Sequence, residues 1–284
     1  MPEEYTMTEW TCPTCSASHF TNFCPACGEE SARAGHLTLH GFAKQLAENL
    51  TSVDSQLLRS FHCLLCKPGD LTVSYREGRR KKFLLPINLF LFTNVLFFAV
   101  QSAVSVKIFA TPLDMHLHDQ FWSPLSSYLL EARLRATGIK LSAYTPVFDQ
   151  AVALNAKTLI GLMVPFFALL LPPIFFRSRQ PFVVHAVFAL HTYSFILLML
   201  CSVLALFAAL TWFGFDPKAS AAMDHVISVA QLVFLFGYLF ASVRIVYGVH
   251  GLPRVLSATV LTVAAAILLL GYRFFLFLFT IYAT

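Results

Sequence analysis

Long apolar runs, separated by short polar segments, fill most of the chain after about residue 83. A helix needs about 20 mainly apolar residues to cross the roughly 30 Å of hydrocarbon in a bilayer. The runs that reach this length predict an all-α polytopic membrane protein with about five transmembrane helices. The predicted spans cover about 83–106, 158–176, 182–213, 226–248 and 255–279.

The segment between the first two spans, 107–157, mixes acidic and basic residues and is predicted to be an outer loop. Within it, Leu125, Tyr128, Leu129 and Leu134 recur at helical spacing. That spacing predicts a short helix that rests on the outer membrane surface or on the bundle.

The polar segment before the first span contains one amphipathic pattern. Apolar side chains follow one another at steps of three or four residues, which is the period of one helix face. They are Leu39, Phe42, Leu46, Leu50, Val53, Leu57 and Phe61. We therefore assign residues 36–82 to a cytoplasmic amphipathic helix, ended by Pro68 and Gly69, and a basic collar after it. The apolar face fits packing on the protein's own bundle, or alternatively contact with a leaflet or a partner.

The composition agrees with a membrane protein and excludes an ordinary soluble domain. Hydrophobic residues make up 57% of the chain and charged residues 12%, and the mean hydropathy is +0.67. Soluble domains contain about 25% charged residues. The 29 phenylalanines point the same way, because lipid-facing helices can expose rings that a soluble core of this size would have to bury.

Basic residues predict the orientation of the spans. Five of them form the basic collar ahead of the first span: Arg76, Arg79, Arg80, Lys81 and Lys82. The loops after the second and fourth spans carry further arginines, whereas the C-terminal tail is uncharged. Because cytoplasmic loops collect Lys and Arg, we expect the N-terminus in the cytoplasm and the C-terminus outside. The collar is also expected to contact anionic headgroups, at up to about 1 kcal/mol per residue.

Four cysteines near the N-terminus have the spacing of a zinc ribbon. Cys12 and Cys15 form one C-x-x-C pair, and Cys24 and Cys27 form a second, in a small head predicted to cover residues 1–35. Four thiolates in two such pairs suit one tetrahedral Zn²⁺ with no open coordination position, so we predict a structural metal. Two disulfides or a redox dithiol are the alternatives, and a reducing cytoplasm disfavours disulfides.

A third C-x-x-C pair, Cys63 and Cys66, lies at the end of the predicted amphipathic helix. Cysteines on a helix face behave as small hydrophobes, so we favour packing over a second metal or redox site. The segment from Asp114 to Asp119 also combines metal-ligand residue types, but the sequence predicts no scaffold for a site there.

His185, His191 and Arg273 are ionisable residues inside predicted spans. Such residues mark candidate functional sites in membrane proteins. Arg273 can also snorkel to the headgroups, whereas His191 is harder to explain structurally because it lies six residues inward from His185. No acidic residue lies well inside a predicted span, so a proton relay lacks its usual partner.

Serine nucleophile elbows, P-loops and H-E-x-x-H motifs are absent from the sequence, which favours a non-enzymatic protein. The leading hypothesis is an integral membrane protein whose zinc ribbon is a cytoplasmic docking and structural head for a protein partner. The alternative is a small transporter or lipid-handling protein with a polar cavity around His191. Five basic residues beside a membrane are little evidence for nucleic-acid binding.

Three sequence motifs carry a family resemblance: CPACG ending at Gly28, KPGDL from Lys67, and YREGRRKKFLLPINLFLF from Tyr75. In this order they resemble a family of uncharacterised bacterial inner-membrane proteins, known as a domain-of-unknown-function family. The resemblance covers roughly residues 12–100. It implies a bacterial inner-membrane location and a zinc head, and it supplies no activity.

Overall fold

A computed structural model describes residues 9–11, 17–21, 56–77, 83–104, 108–214 and 221–284, with the side chains of 221–224 left aside. The chain divides into two compact units, residues 1–55 and 56–284. In the first unit, β1 (Trp10–Thr11) and β2 (Ser18–His19) pair antiparallel, with Trp10 opposite His19. The Trp10 indole Nε1 donates a hydrogen bond of 2.6 Å to the Thr21 carbonyl oxygen.

The second unit is mainly helical in its described residues. Its helices are α1 (containing residues 56–66), α2 (Asp70–Arg76), α3 (Pro86–Val104), α4 (Leu113–His118), α5 (Ser123–Thr137), α6 (Leu141–Leu159), α7 (Met163–Ile174), α8 (Phe182–Trp212), α9 (Ala221–Tyr247) and α10 (Gly251–Ala283). A 3₁₀ turn, Ile160–Leu162, joins α6 to α7, and another, Phe176–Ser178, follows α7.

Within the described residues, five helical segments are long and apolar enough to cross a membrane, which confirms the predicted number. They are α3, the continuous segment Leu141–Ile174, α8, residues His225–Tyr247 of α9, and α10. The chain is therefore a multi-pass membrane protein, as a helix satisfies all its backbone hydrogen bonds within lipid.

The second span starts earlier than the sequence pattern predicts. The prediction placed residues 107–157 in a loop and began the span near 158, whereas the helical segment begins at Leu141. Hydropathy drops at polar side chains such as Asp149 and Asn155, but both have partners in the fold. The Asp149 carboxylate accepts a hydrogen bond from the Leu113 amide at 2.9 Å, and the Asn155 amide donates one to the Thr280 hydroxyl at 3.0 Å.

The bundle has two ends, which we name by the short helices that lie there. At the proximal end are α1 and α2, and at the distal end α4 and α5 form a cap. The Leu84 amide, just before α3, donates to the Ser60 hydroxyl of α1 at 2.9 Å, so α3 starts at the proximal end. Of the long helices, α8 packs on α3 and α7, while α10 packs on α9, α6 and α7.

Aromatic rings fill much of the space between the long helices. Phe97, Phe167, Phe188, Phe195 and Phe277 are almost fully buried. Apolar side chains gain little by leaving lipid for a protein interior, so these contacts stabilise the bundle mainly through packing. Several rings meet edge to face or stacked, such as Phe195 against Tyr238 at 3.7 Å between centroids.

The distal cap contains the predicted short helix, now α5, which ends at Gly138 in the left-handed region (φ 70°). Leu129 and Leu134 pack against the core, whereas Leu125 and Tyr128 are exposed. The four positions of the apolar pattern therefore divide between two surfaces, one on the protein and one turned away from it.

His116 is the buried polar centre of this cap. The Trp122 indole Nε1 donates to its Nδ1 at 3.1 Å, and the Phe277 ring lies 4.8 Å from its ring centroid. Burial, and secondarily the charge of Arg273, lowers the pKa of His116 from 6.5 to about 4. The ring is therefore neutral at pH 7, and its Nδ1 accepts the hydrogen bond from the indole N–H.

Acid should weaken the cap through His116. In the unfolded chain His116 takes up a proton near pH 6.5, whereas in the folded protein it does so only near pH 4. The stability that the neutral, folded ring provides is therefore fully present above pH 6.5 and is lost as the pH falls through about 4. His116→Gln keeps an acceptor for Trp122 but does not titrate. We expect the apparent Tm in detergent to drop less between pH 7 and pH 4 in this variant than in the wild type. His118→Gln, at an exposed site, is the control; equal drops in all three proteins would contradict the assignment.

Candidate functional site at the proximal end

Two contacts fasten α2 to the inner faces of α8 and α9. The Thr72 hydroxyl and His191 Nδ1 lie 2.9 Å apart in a buried hydrogen bond. Gly69, in the turn before α2, has φ +91°, and a Cβ placed on it would lie 3.1 Å from the Ser242 carbonyl oxygen. The short helix therefore sits against the bundle with a polar bond on one side and a close backbone approach on the other.

Within the described part of the chain, His191 lies beside a very small space. It is only 4% exposed, and the space beside it, lined by Leu71, Tyr75 and residues 83–86 as well as His191, is about 10 Å³. That is at most enough for one water molecule. The Thr72 hydroxyl occupies the Nδ1 side of the ring.

The three predicted intramembrane polar residues have different surroundings. His185 Nδ1 lies 3.0 Å from the Tyr247 hydroxyl, with the two rings stacked at 5.5 Å. His191 bonds Thr72, and Arg273 lies on α10, four residues before the Phe277 that contacts the distal cap. The fold thus gives each of them a separate environment, and a functional role for any of them stays a prediction.

Arg76 is the one member of the basic collar within the described residues. Its Nη1 donates to the Val246 carbonyl oxygen at 3.2 Å, in the last turn of α9. A cation there satisfies a terminal carbonyl and complements the negative end of the helix dipole. Arg79, Arg80, Lys81 and Lys82 lie outside the described residues, so their predicted headgroup contacts stay predictions.

The zinc prediction also falls outside the described residues, because Cys12, Cys15, Cys24 and Cys27 are not among them. Within the described ranges, no group of three or more His, Cys, Asp or Glu residues is placed to hold a metal ion. The third C-x-x-C pair has two different environments, because Cys63 is buried and Cys66 is exposed. Their different burial means that the two thiols do not share one apolar face.

A cleft of about 670 Å³ lies between α1 and α2. Three basic side chains line it, Arg59, His62 and Lys67, together with the carboxylate of Asp70. The remaining lining is mixed, with apolar and small polar side chains: Leu58, Cys63, Val73, Ser74 and Phe83. The cleft therefore combines positive charge with an apolar wall.

The sequence pattern did not predict this cleft. It predicted a helix end at Pro68 and Gly69, and α1 does end there, but it did not predict that the chain turns back as α2 and packs on α8 and α9. A signal was present in the sequence, where Arg59, His62 and Lys67 stand close together at the end of the predicted helix.

Residues 54–98 match the model of a family described as "Protein of unknown function (DUF3667)". The match supports the resemblance to an uncharacterised domain-of-unknown-function family. It covers α1, α2 and the first part of α3, and therefore every residue that lines the cleft; the predicted zinc head is outside it. No curated protein and no solved structure matches the chain.

Proposed function

We propose that this chain is a non-enzymatic membrane protein in which the helical bundle is an anchor and the N-terminal zinc ribbon is a docking head for a protein partner. The observation that carries the proposal is the closed interior at His191. A transporter that used this residue would need a polar cavity there, and Thr72 and the neighbouring apolar side chains leave only about 10 Å³. An anchor needs no such space.

The N-terminal cysteines support the docking head. Their two C-x-x-C pairs are the ligand set of a closed tetrahedral zinc site. In the sequence, Cys12 and Cys15 fall between β1 and β2, which pair antiparallel. Binding of zinc by a segment too short for a hydrophobic core would supply its folding free energy and give it a defined surface.

The distribution of charge supports a cytoplasmic position for the head, in a bacterial inner membrane. Arg76 of the basic collar lies at the proximal end, where it contacts the end of α9, and Arg177 and Arg254 lie at the same end. The distal cap offsets its cations with acidic residues, as in the ion pair of Arg135 with Glu131 at 2.9 Å. This asymmetry is the one that the positive-inside rule associates with cytoplasmic ends.

Zinc content tests the head directly. We expect elemental analysis of the full-length protein in detergent to give one zinc per chain, and Cys24→Ser/Cys27→Ser to lose it while keeping a monodisperse bundle. The matched control is Cys63→Ser/Cys66→Ser, a second double cysteine change that should retain the zinc. Cross-linking in cells should then recover a partner with the wild type and the control, and not with the zinc-free variant.

Two results would contradict the proposal. If the wild-type protein contains no zinc, the N-terminal segment is not a zinc ribbon. If the zinc-free variant captures the partner as well as the wild type does, the head is not the docking site. Solute flux across reconstituted vesicles that disappears in His191→Leu would favour the transporter instead.

A further inference from the structure

We propose that the cleft between α1 and α2 binds the phosphate-bearing headgroup of an anionic phospholipid from the leaflet at the proximal end. The site is distinct from the zinc head, because all of its lining residues lie in the second unit, between Leu58 and Phe83. The proposal therefore does not depend on docking by the head.

The size of the cleft fits a headgroup with the glycerol region attached. Ligand pockets in proteins have volumes of about 300–1,000 Å³, and this cleft measures about 670 Å³. The space at His191, about 10 Å³, cannot hold such a group. The cleft is thus large enough for an amphiphile, whereas the space at His191 is not.

The charges of the cleft select an anion. Arg59 and Lys67 are both exposed at its wall, and Asp70 is the carboxylate among the described residues that line it. A guanidinium binds phosphate through two parallel hydrogen bonds, and an ammonium binds it as a compact point charge. Ser74 adds a hydroxyl to the lining, which can donate to an ester or phosphoryl oxygen.

The apolar wall favours a lipid over a soluble phosphate ester. Leu58 is 68% exposed, and Val73 and Phe83 line the cleft beside it. A soluble phosphate ester would leave these side chains in water, whereas the glycerol and upper acyl carbons of a lipid would cover them. The combination of cations and an open apolar wall matches an amphiphilic ligand.

The position of the cleft gives lipid access to it. Phe83 lies three residues before Pro86, where the membrane-spanning helix α3 begins, and the Leu84 amide is held by Ser60 of α1. The cleft wall therefore continues into the first turn of a transmembrane helix, which is the level of the headgroups.

A binding titration with the full-length protein in non-ionic detergent tests the site. The ligands are phosphatidylglycerol, phosphatidylcholine and soluble glycerol phosphate, and binding is read from the bound fraction of the protein in native mass spectrometry. We expect phosphatidylglycerol to bind about tenfold more tightly than phosphatidylcholine, because a charge-assisted hydrogen bond corresponds to roughly a tenfold change or more in affinity. Glycerol phosphate should not compete.

Charge-neutralising variants locate the binding. Arg59→Gln/Lys67→Gln should weaken phosphatidylglycerol binding about tenfold or more. The matched control, Arg135→Gln/Lys140→Gln, removes one exposed Arg and one exposed Lys from the distal cap and should bind like the wild type. Equal affinity in both double variants would overturn the site, and tight binding of glycerol phosphate would overturn the lipid as its ligand.

A second measurement uses an exposed position of the cleft, where a substitution does not disturb the packing. Leu58 lines the cleft and is 68% exposed, whereas Cys66 is exposed outside its lining. In Leu58→Cys, phosphatidylglycerol should slow maleimide labelling of the introduced thiol several-fold and leave Cys66 unchanged, as read by peptide mass spectrometry. Unchanged labelling at position 58 at a saturating lipid concentration would overturn the proposal.

Discussion

Gly69→Ala is expected to detach α2 from the bundle. A residue with a side chain at positive φ costs about 1–2 kcal/mol, and Gly69 has φ +91°. The new Cβ would lie 3.1 Å from the Ser242 carbonyl oxygen and 3.1 Å from the Ile245 Cβ, and overpacking of this kind costs about 1–3 kcal/mol. We therefore expect the free energy of unfolding in mixed micelles to fall by about 2–5 kcal/mol.

Gly138→Ala separates the two causes of this loss. Gly138 also has positive φ, +70°, but nothing lies within 4 Å of the added Cβ. The control should lose only the conformational part, about 1–2 kcal/mol. Maleimide labelling of the buried Cys63 should accelerate in Gly69→Ala and not in Gly138→Ala. If both variants lost the same free energy, the contact with α9 would not hold the turn in place.

The bond between Thr72 and His191 gives the second large effect. Thr72→Val keeps the shape of the side chain but leaves His191 Nδ1 buried without its partner. An unsatisfied buried polar atom costs about 1–3 kcal/mol, and we expect the free energy of unfolding to fall by that amount. Thr259→Val is the control, because Thr259 lies on an exposed face and bonds only the Val255 carbonyl of its own helix.

A double-mutant cycle with His191→Leu distinguishes the bond from general packing. If the two residues are coupled, Thr72→Val/His191→Leu should lose less free energy than the two single variants together, by about 0.5–3 kcal/mol. Strict additivity would show that the 2.9 Å contact contributes nothing of its own.

Local sequence patterns predicted those helices that depend only on residues close together in the chain. The five spans and α5 follow from runs and spacings within about 20 residues, and the end of α1 follows from Pro68 and Gly69. The early start of the second span was not predictable in this way. Its polar side chains are compatible with a helix because of partners far along the chain, such as Thr280 for Asn155.

The candidate site was predictable only in part for the same reason. His191 stood out as a polar residue deep in a span, and it does face a polar group. That group belongs to Thr72, which is 119 residues earlier in the chain, and no local pattern connects the two. The cleft likewise depends on α2 turning back beside α1, which periodicity within either helix does not report.

Because α2 packs on helices far along the chain, the segment that matches the family model is not a structural unit by itself. Residues 54–98 match the family model, yet Leu71 and Thr72 are buried by packing of α2 on α8 and α9. A protein that kept this segment alone would leave an apolar face and a threonine hydroxyl without their partners. Any relative that shares the segment must therefore also carry two helices that do the work of α8 and α9, however little their sequences resemble those of this chain.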